Sequence, residues 1–184
     1  YPEASNWYTR CLYNRKVDGV VAVSQRISEL LVQAGVAPEK IRLIHDGIDP
    51  RPFESAANNR DIHTDCVVVG MAAVFEERKG HRFLLESARR LKAQVCRIQY
   101  RLAGDGSLRQ SLENTATRLG LKDDVQFLGF VSDIPTFLSQ VDIFVLPSLF
   151  EGLGVAALEA MAAGKAVIAS RVGGLAEVVL DGVT

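Results

Sequence analysis

The chain has 184 residues, 48% hydrophobic and 23% charged, with a formal net charge of −1. That is an ordinary globular composition, large enough for one doubly wound domain or for one domain and part of another. The charge balance gives no electrostatic case for nucleic acid, and no apolar run is long enough to span a bilayer or to resemble a secretory leader.

Residues 1 to 16 carry Trp7, Tyr8 and Tyr13 and predict a helix or an irregular lead-in. Asp18 to Ser24 reads as a strand, and Ser24 then caps a helix over Gln25 to Gln33, ended by Gly35. Pro38-Glu39-Lys40 turns the chain into a second strand, Ile41 to Ile44, which leads to the turn Asp46-Gly47-Ile48-Asp49. Residues 51 to 65, with Pro50 and Pro52 at the start and Asn58-Asn59 inside, are polar and read as a linker. The division expected is therefore residues 1–50, a linker over 51–65, and a second domain over 66–184.

From residue 66 onward strands and helices alternate. Cys66 to Ala73 is a continuous apolar strand, followed by Lys79-Gly80 and a helix from about His81 to Ala93. Ile98 to Ala103 is the next strand; Gly104-Asp105-Gly106 turns it sharply into a helix reaching about Leu119. Asp124 to Val131 is a strand with its exit loop at Phe130 and Val131, and a short helix runs to about Gln140. Val141 to Pro147 is a buried strand, Lys165 to Ser170 another, and Gly173-Gly174 opens the last helix. This alternation predicts an α/β fold, a Rossmann-like doubly wound parallel sheet with a short strand-helix-strand unit before it. In such sheets ligands bind beyond the carboxyl ends of the strands. Gly47, Lys79, Gly104, Gly106, Phe130, Glu151 and Gly173 all fall there.

The stretch Ser148-Leu149-Phe150-Glu151-Gly152-Leu153-Gly154 joins a strand to an Ala/Leu/Met helix closed by Gly164. Loop amides and a helix N-terminus favour an anion at such a place. Glu151 could equally be a first-turn acid favoured by the dipole. Glu159 lies in a helix so apolar that burial nearly all round is expected, and an ionised Glu there needs partners. A hydroxylated ligand or a pair of backbone N–H groups could supply them. Cys11, Cys66 and Cys96 are odd in number and form no zinc pattern, so they read as reduced thiols. His45, His63 and His81 show no metal-ligand spacing and read as surface or loop histidines.

Glu151, seven residues, then Glu159, set in Phe-Glu-Gly-Leu-Gly, Leu-Glu-Ala-Met-Ala and Gly-Lys-Ala-Val-Ile-Ala-Ser, resembles the signature of the retaining glycosyltransferases of family 4, also called group 1. Lys79-Gly80, Ala-Gly-Asp-Gly at 103–106, Ala-Val-Ser at 22–24 and Asp-Gly-Ile-Asp at 46–49 extend the likeness, which covers about residue 18 to the end.

The resemblance implies a GT-B architecture, two Rossmann-like domains facing across a cleft, with 66–184 as the nucleotide-sugar half, truncated at its C-terminus, and 1–50 as the end of the acceptor half. It implies that Glu151 sits by the donor sugar as the catalytic residue, orienting it and stabilising positive charge at the anomeric carbon, and that Glu159 binds the ribose hydroxyls. The amides of Gly152, Leu153 and Gly154 hold the diphosphate, Lys79 contributes a point charge, Gly104 lines the nucleotide side, and the backbone at Phe130 and Val131 meets the base. The family's arginine position holds Val74, so half of the cationic clamp is missing. No Asp-x-Asp pattern is present to hold a divalent metal, so no cofactor and no metal site are expected. The implied reaction is transfer from a nucleotide-diphospho-sugar to a glycan or lipid-linked acceptor with retention of configuration. The acceptor would be met through residues outside this chain, and the isolated piece would be inactive. The implied setting is cytoplasmic, and association with the inner membrane face through the absent domain is compatible with it. Two rival readings are a nucleotide-sugar epimerase and a non-catalytic nucleotide-binding module on the same fold.

Overall fold

A computed structural model describes residues 7–58, 66–92, 94 and 97–183. The first elements form a small unit: α1 (Trp7–Lys16), β1 (Val20–Ala22), α2 (Gln25–Gln33) and β2 (Ile41–Leu43). Strands β1 and β2 pair in parallel, Val20 with Ile41 and Ala22 with Leu43. Ser24 caps α2 as expected: its backbone is extended and its Oγ accepts from the Ile27 N–H at 3.1 Å. Ala22, Ile27, Val36 and Ile41 form this unit's core. The end of α1 is tied in by Asn14, which donates to the Gly35 carbonyl and accepts from the Ala37 N–H.

The stretch read as a linker begins instead with a helix, α3 (Arg51–Asn58). Of its first four residues Arg51, Pro52 and Glu54 are exposed, and Phe53 is buried among the residues of the second core. Burying one such ring contributes roughly 2–3 kcal/mol, which anchors this short helix to the sheet. Residues 59–65 lie outside the described residues.

The second unit is a sheet of β3 (Val67–Ala72), β4 (Ile98–Ala103), β5 (Val125–Gly129), β6 (Ile143–Leu146) and β7 (Ala166–Ala169), in the order β5-β4-β3-β6-β7. Every pairing is parallel. Connecting helices are α4 (His81–Lys92), α5 (Arg109–Arg118), α6 (Ile134–Ser139), α7 (Val155–Ala162) and α8 (Leu175–Val178). Helix α4 contacts α5, while α3, α6 and α7 contact one another. The expected doubly wound α/β sheet is therefore present. Several strands are shorter than their apolar runs, because the end residues enter loops that carry the site. Cys11 and Cys66 are free thiols, and Cys96 lies outside the described residues.

The chain leaves central β3 toward β4 and β5, then returns to build β6 and β7 on the other side. The crevice of such a sheet opens between the loops after β3 and β6, where the winding reverses. Lys79 lies on the first of these loops and Glu151 on the second.

The two units touch beside the second loop. Glu177 of α8 accepts from the backbone N–H groups of Gln25 at 2.9 Å and Arg26 at 3.0 Å, the first turn of α2. Partial burial raises the Glu177 pKa, but these two donors and nearby His45 outweigh it and hold the carboxyl below its ordinary value. Gly173 and Gly174 are packed so closely that a Cβ on Gly173 would lie 2.0 Å from the Glu151 carbonyl oxygen. One on Gly174 would lie 2.0 Å from the Gly152 carbonyl oxygen and 2.6 Å from Ser24 Cβ. Phe150 packs against the core of the first unit.

Candidate functional site

The loop after β6 runs from Pro147 to Gly154 and is held from three sides. The Leu149 N–H donates to the Arg78 carbonyl at 2.8 Å, which ties it to the lysine loop. A Cβ on Gly80 would lie 1.9 Å from the Pro147 carbonyl oxygen, and Gly80 has φ +74, so only glycine fits there. The Gly174 N–H donates to the Glu151 carbonyl at 3.1 Å. Leu153 is buried, which anchors the loop to the fold. Among the described residues none accepts from the backbone N–H groups of Gly152, Leu153 or Gly154. They precede the N-terminus of α7, where unpaired amides and the helix dipole favour negative charge.

Lys79 and Glu151, far apart in sequence, meet in an ion pair of 2.6 Å. Their side chains are 15% and 6% exposed. The sequence suggests Lys79 as a point charge for phosphate; in the structure that charge is held by Glu151. The same carboxylate oxygen accepts from Ser148 Oγ at 2.7 Å. Arg78 points away and pairs with Glu76.

Beside this pair lies an open cavity of about 350 Å³. Gly104, Phe130, Val131 and Glu159 line it together, with Val74 and Ala156. The sequence reasoning thus reaches four residues that converge on one cavity. Lys79, Glu151 and Gly152 to Gly154 are not part of its wall and form the neighbouring charged loop. Phe130 is 83% exposed, an unusual state for so large an apolar ring. Gly104 has φ +137, and a Cβ there would lie 2.0 Å from the Ala73 carbonyl oxygen, so the cavity lip requires glycine.

Helix α7 is not buried all round: Ala157 and Ala160 face the core, and Glu159 is only partly buried. No described residue hydrogen-bonds the Glu159 side chain, and burial pushes its carboxyl above the usual range. An unpaired carboxylate on the wall of an open cavity suits hydroxyl donors from a ligand.

Two residues of the site have no role in the sequence reading. Ser148 stands three positions before Glu151, a spacing that signals nothing until the loop's shape is known. His81, expected at the surface or in a loop, instead opens α4, is 2% exposed, and packs edge-on against Phe75 at 4.8 Å with neither ring nitrogen partnered. Burial, and then the charge of Lys79, lower its pKa to about 4. Among the described residues no cluster of His, Cys, Asp and Glu could hold a metal ion, and no helix is long and apolar enough to cross a membrane.

The family model for glycosyl transferases group 1 matches residues 53–184, and that for Glycosyltransferase Family 4 matches residues 2–51. EpsF of Bacillus subtilis, a provisionally named glycosyltransferase, is 39% identical over 150 residues, covering 77% of this chain and 38% of EpsF. The lipopolysaccharide core biosynthesis glycosyltransferase LpsE of Rhizobium meliloti is 34% identical over 164 residues, covering 89% of this chain and 47% of LpsE. The crystal structure of Anabaena HepE in complex with UDP and glucose superposes with a TM-score of 0.85 at 29% identity, over 96% of this chain and 50% of HepE. The chain thus spans half or less of the length of these relatives.

Proposed function

The chain belongs to the group 1 glycosyltransferases, and from that premise we propose that the full-length protein moves a glycosyl group from a UDP-sugar to an acceptor with retention and without a divalent metal. The observation that carries this reading is the Lys79–Glu151 pair at the winding reversal, beside a cavity walled by Glu159. UDP is favoured among nucleotides because HepE, similar over almost the whole chain, was crystallised with UDP and with UDP-glucose.

The base lies in the cavity against the exposed Phe130 and the backbone at Val131, with Gly104 at the lip. Glu159 accepts from the ribose hydroxyls. The diphosphate lies over the Gly152 to Gly154 amides, and Lys79 shares its charge between phosphate and Glu151. When the anomeric C–O bond breaks, its electron pair goes to the phosphate oxygen. Amides, ammonium and helix dipole are already aimed at that charge. The acceptor hydroxyl forms the new bond on the face the phosphate leaves, and its proton passes to a phosphate oxygen. Glu151 stabilises positive charge developing at the anomeric carbon. The acceptor is a glycan or a lipid-linked saccharide met by residues outside this chain. The naming of LpsE for lipopolysaccharide core biosynthesis supports that class.

Titration calorimetry of this chain with UDP-, GDP- and ADP-glucose tests the donor. Binding of UDP-glucose at least tenfold tighter than the others is expected, and equal binding of all, or of none, overturns the donor. Full-length protein incubated with donor and saccharide acceptors, with and without chelator, tests the reaction. Epimerised donor without transfer, or no transfer at all, would sink it.

A further inference from the structure

Glu151 is held by one oxygen. Ser148 Oγ donates to Oε1 at 2.7 Å and Lys79 Nζ donates to the same Oε1 at 2.6 Å. Both bonds end on Oε1. The sealed and unpartnered side-chain polar atoms among the described residues belong to His81, Tyr100 and Arg101, and Oε2 of Glu151 is not one of them. The two donors therefore fix one end of the carboxylate and leave the other out of their grip.

Ser148 is well placed for this task. It is 1% exposed and has the acceptor Oε1 within reach at the length of a hydroxyl-to-carboxylate bond. Its neighbours are pinned: the Pro147 carbonyl lies against Gly80, and the Leu149 N–H is bonded to Arg78. The hydroxyl is thus set by backbone that is itself fixed. Lys79 alone would hold the carboxylate without orienting it, because an ammonium on a flexible stem is a point charge with rotating donors.

What Oε2 faces follows from the order of groups in a nucleoside diphospho-sugar. The amides of Gly152 to Gly154 suit the phosphates. Glu151 stands one residue before them, and the sugar is the next chemical group beyond the phosphates. We propose that Ser148 is a positioning residue that, with Lys79, fixes Oε1 of Glu151 so that Oε2 accepts from a hydroxyl of the donor sugar. The proposal rests on the UDP-sugar reading above. Ser148 acts only through Glu151 and touches neither base nor phosphate, so its loss should be felt by the sugar alone.

The test titrates UDP and UDP-glucose into the chain and into Ser148→Ala, Ser148→Cys and Ser148→Thr, with thermal unfolding alongside. Wild type is expected to prefer UDP-glucose over UDP. Ser148→Ala should bind UDP within about twofold of wild type and lose about tenfold in that preference, a change equivalent to about 1.4 kcal/mol. Ser148→Thr keeps the hydroxyl and should restore most of the preference. Ser148→Cys, a weaker donor of similar size, should fall between, and it decides the matter if Ala or Thr fails to fold. An unchanged preference in Ser148→Ala overturns the proposal. So does an equal loss for UDP and UDP-glucose, which would make Ser148 loop scaffold, and so does a wild type that binds both alike. A wild type that binds UDP-glucose and not UDP still allows the Ser148 comparison on UDP-glucose against UDP-galactose, where loss of discrimination is expected. A wild type that binds no uridine nucleotide overturns the donor reading and this proposal with it, and the UDP arm separates that failure from the others.

Discussion

The two glutamates of the site live in opposite environments. Glu151 is nearly sealed, yet one of its oxygens is claimed by an ammonium and a hydroxyl. Glu159 is more open, yet no described residue bonds it, and burial raises its pKa. The protein completes the surroundings of the first and leaves those of the second for something else to complete. A carboxylate that must keep one orientation is paired in advance, and one that must exchange water for ligand hydroxyls is left unpaired.

The largest effect should come from making Glu151 resemble Glu159. Lys79→Met leaves a buried carboxylate without its cation and should cost about 3–5 kcal/mol of stability by denaturant unfolding at neutral pH. The double variant Lys79→Met, Glu151→Gln should cost far less. Equal costs for this single variant and the double variant would show that an unpaired Glu151 carboxylate is not the source of the loss.

His81, two residues beyond Lys79, extends the paired side. Burial and the Lys79 charge hold its folded pKa at about 4, below the ordinary 6.5. On acidification the unfolded chain takes the proton first. Its stability contribution is therefore full above pH 6.5 and lost as pH falls toward 4, about 3 kcal/mol at roughly 1.4 per unit. His81→Leu should flatten that part of the stability profile. A mutant profile parallel to wild type between those pH values would mean the imidazole protonates in place.

The unpaired side can be emptied. Glu159→Gln removes a carboxylate whose ionised form burial disfavours. Since its folded pKa is raised, stability is greatest below the unfolded value and falls as pH rises, so the variant should be slightly more stable at pH 7 and equal to wild type under acid. Its nucleotide affinity should drop by roughly 1.5–3 kcal/mol, the worth of hydrogen bonds to a charged acceptor. Unchanged calorimetric affinity together with lost stability would make Glu159 a structural residue.

The smallest effect should come from giving the unpaired side a cation. Val74 lines the same cavity and is 36% exposed, so an arginine there can stay solvated. Val74→Arg should tighten UDP by about 1 kcal/mol through a forked contact to phosphate, with less gain for uridine. An equal gain for both would place the new cation on Glu159 or the base instead of the phosphates.

Much of this arrangement is legible in the sequence. The span of α2 and of β4, the cap at Ser24 and the glycine end at Gly164 follow local rules that the structure obeys. Helix α3 has a single large apolar residue to mark it: its two prolines fall before the helix and in its first turn, and it is anchored by that one buried ring, Phe53. Strand ends gathered by a parallel sheet point to Gly104 and Phe130, and the family resemblance adds Val131 and Glu159, all four of which line the cavity. Pairings across the winding reversal carry no local mark. Lys79 with Glu151, and Glu177 with the start of α2, join residues 72 and 152 positions apart. Burial was misjudged for α7 because small apolar residues pack on one face and tolerate water on the other.

The entry of α2 and the loop that carries Glu151 meet against one glycine. Ser24 and the Gly152 carbonyl crowd the same face of Gly174, with no room for a methyl group between them. A contact that close has no slack to absorb displacement. If the first unit turns against the sheet, Glu177 must release the Gln25 and Arg26 amides or α8 must follow, and the carbonyls of Glu151 and Gly152 are in its path. The orientation of the first unit and the shape of the amide loop are in this sense one mechanical variable, read at both ends.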